Sequence, residues 1–218
     1  MRILALDTAT QRGSIALVDD DVVVRQAWLG DGTAPRGNDF LAPAIEALLG
    51  GEVESVDGFA ISIGPGSFTG LRIALAFIKG LVIAIPRPVV AVSTLEAIAH
   101  LVGPGLAGEG ALAVIDARNG EVFARRDPDV PDGLYRIDAL VPVLGAPGIV
   151  GGEPPPALLA ALPGWSVASP GQPLAPAIAR LSRPRFAGPL GDPLDLQPSY
   201  GQPAAVDRKR AAVDTPAS

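Results

Sequence analysis

The sequence predicts an α/β fold in two related lobes, the second of them reduced. Three observations predict it. Apolar strand-like runs alternate with helical periodicity between Phe59 and Val102, an order that layers helices on a sheet. One unit, an apolar strand, Asp, a polar turn, Gly and a second apolar strand, occurs twice, at Leu4 to Val18 and at Leu112 to Ala124, which reads as an internal duplication. The chain beyond the second unit is rich in proline and glycine, and so many missing backbone donors argue against a large regular second lobe. The expected divisions are a first lobe over residues 1–92, a smaller second lobe over 93–200 and a flexible tail over 201–218.

The elements follow in order. Residues 2–7, 14–18 and 22–28 are three strands, separated by turns short enough for antiparallel neighbours. Asn38 or Asp39 can cap a helix through Leu49, in which Phe40, Leu41, Ala44, Ile45, Leu48 and Leu49 keep helical spacing and Gly50 supplies the stop. A strand from Phe59 to Ile63, a glycine-rich loop from Gly64 to Gly70, a helix from Leu71 to Ile85 and a strand from Val89 to Val92 come next. Ser93-Thr94-Leu95-Glu96 is a capping-box pattern opening a helix to about Val102. Strands at Ala111 to Ile115 and Glu121 to Arg125 flank Asn119-Gly120, a pair that tolerates the positive φ of a hairpin turn. Short helices are expected at Ala157 to Leu162 and Leu174 to Leu181, with irregular chain after them.

Composition narrows the function classes. Among 218 residues, 17 Lys and Arg stand against 23 Asp and Glu, a net charge of -6 that disfavours unaided gripping of phosphates and hence direct RNA binding. Cysteine is absent, so disulfides, thiolate metal sites and cysteine nucleophiles drop out, which fits a cytoplasmic protein. Asp7 comes too early for the apolar stretch of a secretory signal, and no export is expected. The longest apolar stretch, Leu71 to Ile85, contains Arg72 and Lys79 and falls short of the roughly 20 apolar residues of a membrane span. The hydrophobic fraction of 48% and mean hydropathy of +0.35 point to apolar surface covered by a partner.

Several places carry the residue types that chemistry needs. Asp7-Thr8-Ala9-Thr10 ends the first strand, where sugar kinases, actin and heat-shock ATPases place an Asp and a glycine-containing turn around metal and phosphate. Here Ala9 brings a β-carbon that hinders main-chain amides from closing on a phosphate, and a structural Asp-Thr turn is the plainer reading. Gly64-Pro65-Gly66-Ser67-Phe68-Thr69-Gly70 lacks the Gly-Lys-Ser/Thr of a Walker loop, the glycine spacing of a dinucleotide loop and the flanking glycines of a serine-hydrolase elbow at Ser67. What remains is a tight turn into a helix, with Ser67 or Thr69 capping free amides. The helix beyond is apolar around nearly its whole circumference, apart from a narrow stripe of Arg72, Ala76, Lys79 and Gly80; such a helix lies either in the core or at a protein interface. Asp116-Ala117-Arg118-Asn119-Gly120-Glu121 can serve acid-base chemistry or stand as a charged hairpin turn with a local ion pair. His100 has no orienting partner visible in the sequence, and Arg208-Lys209-Arg210 is a short basic run more often solvated than bound.

Taken together, Ile3 to Thr10, Gly64 to Arg72, Ser93-Thr94-Leu95 and Asp116 to Phe123 resemble the bacterial TsaB family in order and spacing over roughly the first 125 residues. The resemblance implies an actin-like ATPase (ribonuclease H-like) fold and a cytoplasmic, non-catalytic subunit. Such a subunit pairs with its paralogue TsaD and, through that pair, meets the ATPase TsaE. It supports transfer of a threonylcarbamoyl group to adenosine 37 of tRNA, touches tRNA only indirectly and can also form homodimers. It implies no cofactor for this chain, ATP with Mg belonging to the partner complex. Pairing through first-lobe helices maps onto Phe40, Leu41, Ile45, Leu48, Ser67, Phe68, Thr69, Leu71, Arg72, Leu75, Ala76 and Lys79, and a vestigial nucleotide site onto Asp7, Thr8, Thr10 and Asp116. The sequence departs from the family at Gly37-Asn38-Asp39-Phe40, where a histidine is common, and at Pro198-Ser199-Tyr200-Gly201, which keeps only Pro and Tyr of a Pro-x-Tyr-Leu-Arg ending. The rival readings are an actin-like ATPase or small-molecule kinase using Asp7 and Asp116, and a serine hydrolase built on Ser67.

Overall fold

The computed structural model describes residues 1–30, 40–103, 110–168 and 171–200. The candidate caps Asn38 and Asp39, the tail 201–218 and its Arg208-Lys209-Arg210 run lie outside the described residues.

Strands β1 (Arg2–Asp7), β2 (Ser14–Asp19) and β3 (Val22–Trp28) form an antiparallel meander, to which β4 (Gly58–Ser62) and β5 (Val89–Val92) add in parallel, giving the order β3-β2-β1-β4-β5. The second sheet repeats the plan. Strands β6 (Leu112–Arg118), β7 (Glu121–Arg126) and β8 (Val130–Arg136) form its meander, while β9 (Ile149–Glu153) and β10 (Ser166–Val167) run parallel beyond β6. The repeat read in the sequence is thus β1–β2 against β6–β7, and the fold is a mixed α/β pair of five-stranded sheets.

Period-two alternation decides which side each residue serves. On β1, Leu4 and Leu6 face one way, into a core with helices α1 (Leu41–Leu49) and α2 (Phe68–Ala84). Ile3 and Ala5 face the other way, into a central core shared by both sheets. On β6, Ala113 and Ile115 enter that central core, whereas Leu112 and Val114 face an outer core with α4 (Ile137–Leu140) and α5 (Pro156–Ala160). The layers run α1/α2, first sheet, central helices, second sheet, α4/α5.

The central helices cross over. Helix α3 (Thr94–Val102) packs on β6, β7 and β9, while α6 (Ala175–Ser182), from late in the chain, packs on β1, β2, β4 and β5. Small residues make the close approach possible: Ala5, Ala16 and Ala60 on the sheet meet Ala175, Ala177 and Ala179 on α6. The backbone N–H of Ala175 donates to Ser14 Oγ at 3.0 Å. Residues 174–182, placed by their sequence position in a second lobe, therefore lie against the first sheet.

Local rules hold at the element ends. Gly50 stops α1 in the left-handed region with φ 61°. Ser93 caps α3 by accepting from the Glu96 N–H, while the Glu96 carboxylate takes Arg185. Arg118, Asn119 and Gly120 all have positive φ at the β6–β7 turn. One expectation fails: prolines do not prevent a regular second sheet. Pro131 sits in the edge strand β8 where the β7–β8 register shifts, and Pro154 and Pro155 follow β9, so the missing donors fall where no ladder partner is needed. The reduction of the second half is in its helices, four residues in α4 and five in α5, and in the two-residue β10.

The glycine-rich loop joins β4 to α2 and lies directly on the β1–β2 turn. Ser67 N–H donates to the Ala9 carbonyl at 2.8 Å, and Thr8 Oγ1 donates to the Gly70 carbonyl at 2.9 Å. A β-carbon at Gly66 would stand 2.8 Å from Ala9 Cβ, and one at Gly70 would overlap the Thr8 carbonyl oxygen. Gly66 also has φ 152°. Gly70→Ala is expected to lower stability by about 1–3 kcal/mol, because backbone rather than a flexible side chain must give way. Urea unfolding followed by circular dichroism measures it, and Gly80→Ala, with open space around the same position, is the control expected to leave the midpoint unchanged or raise it.

Candidate functional site

Two regions gather the residues singled out in the sequence: the cleft between the sheets and the outer face of α2.

The cleft, about 760 Å³, lies between the Thr8–Gln11 turn and Asp116–Arg118, with Phe68, Thr69 and Ile73 of α2 on one side. Thr8, Thr10 and Asp116 of the expected vestigial nucleotide site do line it, but their chemistry is committed elsewhere. Asp7 is fully buried. Its Oδ1 accepts from the Ala9 N–H at 2.9 Å and from Ser62 Oγ at 2.8 Å, and its Oδ2 accepts from Thr10 Oγ1. The carboxylate is spent on holding its own turn. Ala9, only 2% exposed, packs on Gly66 with its N–H held by Asp7, and the Gln11 N–H donates to Glu153 Oε1. Asp116 is exposed, and its Oδ1 accepts from the backbone N–H of Arg118 at 2.8 Å, an Asx turn in place of the expected side-chain ion pair. These residues do not fit a phosphate with its metal.

Ser67 is equally occupied. Its Oγ accepts from the Gly70 N–H at 3.2 Å as the N-cap of α2. His100 is exposed on α3 and lines a different cavity, so the geometry gathers no serine-histidine pair in the cleft.

Helix α2 divides cleanly. Leu71, Ala74, Leu75 and Ile78 are buried against the first sheet. Phe68, Arg72, Ala76 and Ile83 are exposed, with Lys79 half-buried among them, and their i+3/i+4 spacing puts them on one face. The helix is therefore covered on one side only, and the narrow stripe noticed in the sequence is the centre of its open side. Phe68 is 51% and Ile83 72% exposed, large apolar side chains that a soluble helix does not need to present.

The position of each expected contact residue follows. Ser67, Phe68, Thr69, Arg72, Ala76 and Lys79 lie on or beside the open face, and Phe40 is half-buried at the cleft. Leu41, Ile45, Leu48, Leu71 and Leu75 are corrected: each is at most 6% exposed and belongs to the core of this chain, since their spacing marks the stripes of α1 and α2 that face the sheet. Two members of the face went unread. Ile83 continues the Phe68, Arg72, Ala76 spacing and was legible by that rule. Tyr200 was not: its ring stacks on Phe68 at 5.0 Å, its hydroxyl takes the Arg72 Nε–H at 3.0 Å, and Arg72 lies 3.8 Å over Phe68, a contact across 128 residues. The strand-like passage 196–200 that delivers Tyr200 is tied down by Ser199 N–H donating to the Ile63 carbonyl at 2.7 Å.

Known proteins agree with this geometry. The family TsaD, tRNA N6-adenosine threonylcarbamoyltransferase, matches residues 38–141. The tRNA threonylcarbamoyladenosine biosynthesis protein TsaB of Escherichia coli strain K12 is 37% identical over 127 residues, 56% of this chain and 53% of that protein. TsaB of Bacillus subtilis strain 168 is 32% identical over 142 residues, 62% of this chain and 56% of that protein. The chain thus spans about half the length of the curated relatives it matches. Among solved structures, YeaZ from Pseudomonas aeruginosa superposes with a TM-score of 0.70 at 27% identity, covering 91% of this chain and 99% of that one. A second structure from the same organism, described as an uncharacterized protein with similarity to peptidase YeaZ, shares the fold with a TM-score of 0.73 at 23% identity, over 92% of this chain and 99% of the other. By sequence the chain is a homologue of the TsaB proteins of tRNA threonylcarbamoyladenosine biosynthesis, and its fold is that of YeaZ and the actin-like TsaD family.

Proposed function

We propose that this chain is a non-catalytic subunit that pairs with a TsaD-type threonylcarbamoyltransferase and supports, without bond chemistry of its own, the threonylcarbamoylation of adenosine 37 in tRNA. The observation that carries the reading is the half-covered helix α2. Its open face joins Phe68 and Ile83 to the cations of Arg72 and Lys79, neither of which forms an ion pair among the described residues. A partner that fits this face presents apolar side chains bordered by carboxylates. Covering each of the two apolar side chains contributes about 1.5–3 kcal/mol at full burial, and a stable pair needs at least about 1,000 Å² of total buried surface. TsaE would join through the TsaB–TsaD pair, ATP and Mg would act there, and the chain would work in the cytoplasm; no helix among the described residues is long and apolar enough to cross a membrane. A homodimer through the same face competes with the heterodimer in this scheme, as two copies would bury the same residues.

Two experiments test the proposal. Phe68→Asp and Ile83→Asp leave the fold intact by circular dichroism and reduce co-purification with the cognate TsaD, and tRNA modification by the pair, at least about tenfold; Leu75→Asp, by contrast, unfolds the chain, because it places a charge in the core. Normal pairing by a folded Phe68→Asp, Ile83→Asp double variant overturns the interface. For the rival ATPase reading, calorimetric titration of the isolated chain with Mg-ATP is expected to give no saturable heat, and Asp7→Asn is expected to cost about 1–3 kcal/mol of stability in urea, since an amide cannot accept all three donors. Tight binding with turnover, abolished by Asp7→Asn, would replace the scaffold by an enzyme.

A further inference from the structure

A second cavity, about 660 Å³, shares only Thr10, Gln11 and Glu153 with the cleft described above. No residue of α2 lines it, so what it does is independent of the docking face. Its size lies within the roughly 300–1,000 Å³ of small-molecule pockets. Ile98 and Leu101 of α3 and Leu174 at the start of α6 give it apolar walls, and Trp28 at the end of β3 adds an aromatic one. Two cations reach it, Arg12 and Arg180.

Arg12 is held in a binding posture. Its guanidinium carbon lies 3.9 Å over the centre of the Trp28 ring, with Nε donating to the Gly30 carbonyl at 3.5 Å. Stacking fixes the plane of the fork while leaving its edge N–H groups free, the arrangement that accepts a carboxylate with two parallel hydrogen bonds. Among the described residues neither terminal nitrogen of Arg12 has a hydrogen-bond partner, and neither Arg12 nor Arg180 has an ion-pair partner. The acid at the rim, Glu153, directs Oε1 to the Gln11 N–H at 2.6 Å. Among the described lining residues two cations stand against one carboxylate, a local surplus of positive charge beside apolar walls.

We propose that this cavity binds a small organic carboxylate with an apolar body, its anionic end on Arg12 and Arg180 and its body against Trp28, Leu101 and Leu174. A bare inorganic anion would leave those walls unmatched, and a neutral apolar molecule would leave the free fork of Arg12 unused.

The chain has two tryptophans, so Trp165→Phe leaves Trp28 as the reporter inside the cavity. In that variant, 4-phenylbutyrate is expected to change the tryptophan emission saturably at one site per chain, and the neutral 4-phenylbutyramide to bind about tenfold more weakly or worse. Arg12→Gln is expected to weaken the carboxylate about tenfold, Arg12→Lys less, because the charge stays while the fork is lost, and Arg180→Gln by several-fold. Equal titration by carboxylate and amide, parental affinity in both glutamine variants, or an absence of saturation overturns the site. Calorimetry on the unaltered chain makes the same acid-against-amide comparison should a substitution disturb folding. Since pairing with TsaD is assayed separately, loss of either reading leaves the other standing.

Discussion

The arrangement rests on one close contact, the seating of the Gly66–Gly70 loop on the Thr8–Ala9 turn. Two hydrogen bonds cross it, and two glycines give it room. The same contact has two consequences. It covers the β1–β2 turn, whose Asp7 carboxylate is taken up by the Ala9 N–H, Ser62 and Thr10 within the chain. It also fixes where α2 starts, and with it which residues the helix turns outward. The occupied turn and the outward face of α2 thus meet at one packing contact.

Around this contact the two sheets are held as one body by exchange of helices. Helix α3 leaves the first sheet to lie on the second, and α6 returns from the second half to lie on the first. Because alanines line both surfaces where α6 meets its sheet, the central core is thin and closely packed. Apolar inner faces interdigitate with few voids, so relative movement of the sheets would open cavity at a cost set by volume. The two larger hollows described above lie near the β1–β2 turn, where the cleft and the second cavity flank the Gln11–Glu153 hydrogen bond.

Charge is distributed to match. The ion pairs lie largely at the surface, whether between near neighbours, as Arg136 with Asp138, or across the chain, as Arg183 with Asp20 and Asp21, and exposed pairs contribute little to stability in water. Among the described cations without an ion-pair partner, Arg25, Arg87 and Arg126 donate to backbone carbonyls, whereas Arg72 and Lys79 lie on the open helix face and Arg12 and Arg180 at the second cavity, the two places for which an anionic counterpart is proposed above.

The sequence by itself determined the elements and their duplication. Alternation on β1 and β6, the Gly50 stop, the Ser93 cap and the Asn119-Gly120 turn depend on neighbours a few residues away, and their chemistry is local enough to read. It also showed that α2 is apolar around nearly its whole circumference, without deciding between the core and a protein interface. Only the tertiary structure decided the rest, because the deciding partners are not near neighbours in the chain: Ser62 on Asp7, Tyr200 on Phe68 and Arg72, Arg12 on Trp28, and α6 on the first sheet. For the same reason Leu41, Ile45, Leu48, Leu71 and Leu75 looked like surface for a partner and are core: periodicity shows that a stripe is apolar, and only the position of the sheet tells which stripe it covers.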